Sequence, residues 1–291
     1  ALLIAAGIGL WIFQNGEALV ESSGDFDTFT STPTPSAPIV VERPPVENIP
    51  VDTLTTLQNA VIPPNNLPEI SCRLMGVCEI PLTVEPPSAP REVGETDTFW
   101  ATNVGTNENF EVNATLEYVT DHAYFWVEDG VSFDKDDMIE LMDTFESKIY
   151  PTNRAFFGSE WSPGVDGDEH IYILYATGIG NSIAGYYSSA DEYHPLAHEY
   201  SNAHEMFLFN ADNTFLHEGF TYGVLAHEFQ HMIHWNQDRN ESSWLNEGFS
   251  ELATFLNELD PGGFDWVYTN NPDLQLNDWP NDQNATTPHY G

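Results

Sequence analysis

The run LAHEFQHMIHW, residues 225–235, constrains this chain more than any other stretch. It sets His227 and His231 four residues apart within an apolar frame of Leu225, Phe229, Met232, Ile233 and Trp235. On a helix, residues at that spacing share one face, one turn apart. A helix over residues 221–237 therefore presents two imidazoles side by side, a separation that suits two nitrogen ligands on a tetrahedral zinc ion. Glu228 falls beside such a metal rather than on it, where its carboxylate can take a proton from metal-bound water. The bland reading is a chance match on an ordinary amphipathic helix. Sequence downstream weighs against it. Glu247 lies in WLNEGFSEL on a second expected helix, residues 243–257, flanked by Trp244, Leu245 and Phe249. Those neighbours mark a buried segment, and a buried carboxylate needs a partner such as a metal. The expected ligands are His227, His231 and Glu247, with Glu228 as general base. His234 is a helical turn too far from that metal and reads as a packing or pocket residue.

HEFQH followed by NEGFSE resembles the gluzincin metallopeptidases, whose third ligand is a glutamate on the helix after the motif helix. WLNEGF is similar to the segment carrying that glutamate in aminopeptidase N-like enzymes, and N-E-x-x-S-[D/E] is similar to the thermolysin arrangement. The longer AHEFQHMIHW…WLNEGFSELA most resembles the hyicolysin-type neutral zinc metallopeptidases, over residues 221–255. The resemblance implies a zincin-like catalytic subdomain that hydrolyses peptide bonds. It also implies Glu251 as the carboxylate behind one ligand imidazole and Asn246 as the hydrogen-bond partner of the other. Glu251 does lie one turn after Glu247, and such partners fix an imidazole's tautomer. It stands where thermolysin relatives have the shorter Asp. Gluzincins further use a Tyr or His to stabilise the oxyanion, and Tyr290, then Tyr268, are the candidates by order. The metzincin pattern would require Gly at 234 and His at 237, where this chain has His234 and Gln237.

The charge balance narrows the partners. There are 46 Asp plus Glu against 7 Lys plus Arg, a formal net charge of −39. No basic surface is available to replace phosphate counterions, so nucleic acid is excluded as a partner. Such acidity favours solubility at the cost of self-repulsion, which salt or bound calcium relieves. Calcium is thus a second candidate cation, with Asp166 and Asp168 of PGVDGD as candidate ligands, although a plain turn is the better reading of that loop.

The fold class expected is α+β. Residues 1–20 begin with an apolar run that fits a signal-peptide or anchor remnant, pointing to a secreted or cell-surface-anchored protein tethered at its N-terminus. Residues 21–94 read as a Pro-rich linker. It includes a Cys72–Cys78 loop, expected as a disulfide in an exported protein. Residues 95–130 read as a β-rich part, 131–260 as the catalytic subdomain, and 261–291 as the start of a C-terminal subdomain. A helix capped by Ser132 should run through Met138, Leu141, Met142, Phe145 and Ile149 and stop at Pro151. The stretch NAHEMFLFN lacks the G-x-M-E-N segment with which aminopeptidase N-like enzymes hold a free amine. Glu205, Met206, Phe207 and Leu208 read instead as an edge strand able to pair with an extended peptide or protein substrate, which favours an endopeptidase. The competing function is a non-catalytic exported surface or adhesion protein with a structural zinc site; Glu228 argues against it.

Overall fold

The computed structural model describes residues 3–6, 51–61, 66–259, 269–270, 272–273 and 277. The described strands assemble into one mixed sheet. In chain order they are β1 (Leu3–Ala6), β2 (Thr96–Asn103), β3 (Glu108–Val119), β4 (Ala123–Glu128), β5 (Ile171–Ala176), β6 (Gly185–Ser188) and β7 (Met206–Asn210). Across the sheet the order is β1-β6-β7-β5-β4-β3-β2. The aromatic-rich β2, β3 and β4 form an antiparallel meander. Then β4, β5 and β7 run parallel, and β6 and β1 return antiparallel. The architecture is α+β.

The six helical elements besides one π-helical turn are α1 (Val51–Gln58), α2 (Leu67–Met75), α3 (Lys135–Thr144), α4 (Tyr150–Phe157), α5 (Gly219–Gln237) and α6 (Ser243–Leu256) among the described residues. Residues 16–64, which hold α1, form one unit; residues 1–15 and 65–291 form the other. No described helix is long and apolar enough to cross a membrane.

Side chains alternate across each strand, so the sheet divides the core in two. Ile171, Ile173 and Tyr175 of β5 join Phe207, Phe209, Phe229 and Met232 on the helical side. Tyr172, Leu174 and Ala176 join Phe99, Val112, Leu116 and Trp126 on the other. Both faces of β5 and β7 are covered, and every residue of the two strands is buried, the pattern of parallel strands between two layers.

Four expectations change. First, β7 is no edge: it pairs with β5 on one side and β6 on the other. Its main-chain donors and acceptors are taken, and Glu205, Met206, Phe207 and Leu208 are all buried. Pairing with a peptide is therefore not open to them; on that side the sheet continues through β6 to β1, its outermost described strand. Second, Asp134 rather than Ser132 caps α3, accepting from the main-chain N–H groups of Asp136 and Asp137. Third, Pro151 does not end the helical run. A π-helical turn, Phe145–Ile149, precedes α4 and places Pro151 in its first turn, where a missing N–H costs no hydrogen bond. Fourth, the Pro-rich tract contains α1 and α2. Asn66 caps α2, Pro68 sits in its first turn, and Gly76 closes it at φ +74° in the left-handed region. Cys72 and Cys78 form a disulfide. Of the apolar run at the start of the chain, Leu3–Ala6 pairs with β6; the rest lies outside the described residues.

Candidate metal centre

The helix α5 is buried nearly all round, from Gly223 to Trp235. A helix with no solvated face belongs in a core. Val224, Leu225, Phe229, Met232 and Ile233 pack in the cluster beneath the sheet. Phe229 meets the rings of Phe145 and Tyr150 at 5.3 and 5.4 Å between centroids. Such packing carries His227, Glu228 and His231, at 3%, 0% and 0% exposure, into the interior, where each polar atom needs a partner.

Those partners come from α6, whose Asn246, Ser250 and Thr254 recur every four residues and so share one face. Thr254 donates to the Gly223 carbonyl at 3.2 Å, Ser250 donates to Gln230 Oε1 at 2.6 Å, and Asn246 Oδ1 lies 2.6 Å from His231 Nδ1. The contacts run in opposite chain directions along the two helices, fixing them antiparallel and in register. From α4, Asn153 donates to the Ala226 carbonyl at 2.9 Å and accepts from Asn257 at 2.8 Å, tying the pair from the side.

That register brings Glu247 to the two histidines. The Nε2 atoms of His227 and His231 are 3.0 Å apart, and Glu247 Oε2 is 3.4 Å from the first and 3.7 Å from the second. For metal–ligand distances of about 2.0–2.1 Å, the edge of a tetrahedron is about 3.3–3.4 Å. The three donor atoms thus form a triangle of the size that one face of a zinc coordination sphere requires. Among the described residues this trio is the group of three potential ligands lying within 4.8 Å of one another. The ring nitrogens facing away are also engaged. His227 Nδ1 is 3.2 Å from Glu251 Oε1, and His231 Nδ1 is 2.9 Å from Ser250 Oγ as well as close to Asn246. Both Nε2 atoms are thereby turned towards the centre of the triangle.

The electrostatics match a site built for positive charge. Burial alone would lower the His227 pKa, but Glu247 and Glu251 outweigh it and hold the pKa well above the ordinary value. Burial and the neighbouring His227 drive His231 well below it. Burial raises Glu247, against the pull of His227.

His234 stays out of the trio and packs beside Phe249, with ring centroids 5.5 Å apart. Other histidines pair with carboxylates: His122 with Glu146, His170 with Asp168 and His204 with Asp166. Asp166 and Asp168 are accordingly engaged by protein donors, including the Asp168 N–H and the Tyr124 hydroxyl, as a turn requires. Tyr268 and Tyr290 lie outside the described residues.

The chain is similar to a neutral metalloprotease. It is 28% identical over 183 residues to neutral metalloprotease ShpI of Staphylococcus hyicus, covering 57% of this chain and 41% of that protein. The chain thus spans well under half the length of this relative. No family model matches it. Likeness to a metalloprotease and a buried His/His/Glu triangle point to the same chemistry from independent directions.

Ser250 is the site residue that sequence reasoning passed over. Its spacing, one turn after Asn246, was the signal available. Partners behind a metal-ligating imidazole typically affect affinity 10–100-fold. Ser250→Ala should weaken metal binding about tenfold while leaving the fold intact, read by competition against a chelating dye. Unchanged affinity would reduce this hydroxyl to a packing contact.

Proposed function

We propose that the chain is an exported zinc-dependent metalloendopeptidase acting on peptide or protein substrates. The observation that carries this reading is the triangle of His227, His231 and Glu247 donor atoms, sized for zinc and backed by Glu251, Asn246 and Ser250. Likeness to a neutral metalloprotease supports it.

His227, His231 and Glu247 would hold the metal. Bound there, zinc supplies a Lewis acid for the scissile carbonyl and lowers the pKa of a water molecule. Glu228 takes that water's proton and passes a proton to the leaving amine, so one carboxylate serves as base and then acid. Its complete burial beside His227 favours proton transfer over exchange with bulk water. Glu251 holds His227, and Asn246 with Ser250 holds His231, so that neither ring turns as charge develops. Tyr290 remains the proposed oxyanion donor, by its order in the chain.

Endopeptidase action follows from how a substrate would lie. β6 is the strand beyond β7, and an extended segment, β1, pairs with it antiparallel while lying against α5. Because β6 already pairs with both β7 and β1, a peptide would take that place only by displacing β1; held there by main-chain hydrogen bonds it would need no terminus. The test compares an internally cleavable peptide blocked at both ends with single-residue amides bearing a free amine. Cleavage of the blocked peptide is expected. Activity confined to the free-amine substrates would make the chain an exopeptidase and overturn this part of the reading.

A further inference from the structure

A neutral imidazole serves a metal only if the nitrogen facing it carries a lone pair rather than a proton. Which nitrogen that is follows from what the other one meets. For His231 the other nitrogen is Nδ1, and it meets two oxygens of α6: Asn246 Oδ1 at 2.6 Å and Ser250 Oγ at 2.9 Å.

Neither partner fixes the tautomer alone. The Asn246 amide has an acceptor at one end and a donor at the other. Turned over, it would give a proton to a bare Nδ1 and leave the His231 proton on Nε2, facing the trio. Ser250 has the same ambiguity, because a hydroxyl donates as well as accepts.

The residue before His231 removes it. Gln230 is 1% exposed, and its Oε1 lies 2.6 Å from Ser250 Oγ. An amide carbonyl oxygen can only accept, so this contact takes the single hydroxyl proton of Ser250. The other acceptor within reach, the main-chain carbonyl of Asn246, is further off at 3.2 Å. With its proton directed to Gln230, Ser250 faces His231 with oxygen lone pairs alone. Nδ1 must then carry the proton, and Nε2 is left bare, 3.0 Å from His227 Nε2 and 3.7 Å from Glu247 Oε2. An inverted Asn246 would now set Ser250 Oγ against an unprotonated Nδ1 at 2.9 Å, two lone pairs in contact within a buried cluster.

We propose that Gln230 is a positioning residue of the metal centre. Acting through Ser250, it holds His231 in the Nδ1–H tautomer and keeps Nε2 available to a metal ion. The same three side chains join α5 to α6, so one network sets both the tautomer and the approach of the two helices. What the tautomer is for rests on the zinc reading above; the tautomer itself does not.

The test uses the full chain and Gln230→Met, which keeps the side chain's length but offers no carbonyl. Imidazole nitrogen NMR of the metal-free, histidine-labelled protein reads the tautomer directly, at a pH where His231 is neutral. The parent is expected to show Nδ1–H alone, and Gln230→Met a mixture of both tautomers. Zinc affinity, read by competition against a chelating dye, should fall in this variant by up to about tenfold, no further than in Ser250→Ala. In a Ser250→Ala background the same substitution should have no added effect, because the link it acts through is gone. An Nε2–H tautomer in the parent would overturn the proposal without recourse to any variant. A lower Tm with tautomer and affinity unchanged would make Gln230 a tie between helices only, and overturn it too. So would an equal loss of affinity with and without Ser250. Failure of the parent to bind zinc would instead defeat the metal reading, and the metal-free spectra would still decide the role of Gln230.

Discussion

Glu228→Gln is expected to retain the metal and the fold while lowering kcat by about 10²–10⁴-fold, the range that a positioned general base contributes. Gln has nearly the volume of Glu, so the buried position beneath the sheet stays filled. What it lacks is the ability to accept a proton. Loss should fall on kcat rather than on KM, because the group acts on the water and not on substrate binding. Metal content and thermal melting, measured beside the kinetics, separate a chemical defect from a structural one. Near wild-type hydrolysis by this variant would remove Glu228 from the mechanism and require another base.

Replacing a ligand should have the larger effect on the metal itself. The parent chain is expected to hold about one zinc at this centre, and His227→Ala and Glu247→Gln are each expected to reduce occupancy to near zero at micromolar zinc. Glu247→Gln is the cleaner variant, since it removes the charge while preserving the side chain's volume. Acid should release the metal in the parent, because ligands must be deprotonated to bind. The sign follows from His227: its pKa is raised without metal, so protons compete for it as pH falls. Zinc content by elemental analysis across a pH series reads both effects. Stoichiometric zinc persisting in both variants would defeat the ligand assignment.

The two helices of the site were legible because their sequence constraints are local. His227 and His231 sit one turn apart on a helix, and the apolar residues between and around them demand that it be buried. Glu247 was picked out by the apolar Trp244, Leu245 and Phe249 around it; these stay half-buried, and it is Glu247 itself, with Asn246 and Ser250, that lies inside. The β2–β4 meander was equally readable from runs of aromatic and β-branched residues. Ends of elements were read less well. Ser132 and Asp134 are both able to cap, and the structure uses the second. Pro151 reads as a stop because it has no N–H, yet the preceding π turn supplies a position where none is needed.

Strand order lay outside what periodicity conveys. A fully buried apolar run such as MFLFN fits a central strand as well as a covered edge, and its neighbours are set by long-range pairing rather than by its own residues. β6 has four residues, Gly185–Ser188, too few to show a period, yet it separates β7 from the sheet's end. The sequence by itself marked His227, His231 and Glu247 and the two helices that carry them, and it motivated the proposal of a metal with Glu228 as base. Only the tertiary structure decided that these donors form a triangle of coordination size. The register of Asn246, Ser250 and Thr254 against α5 depends on contacts between residues far apart in the chain, and no local pattern encodes a distance across two helices.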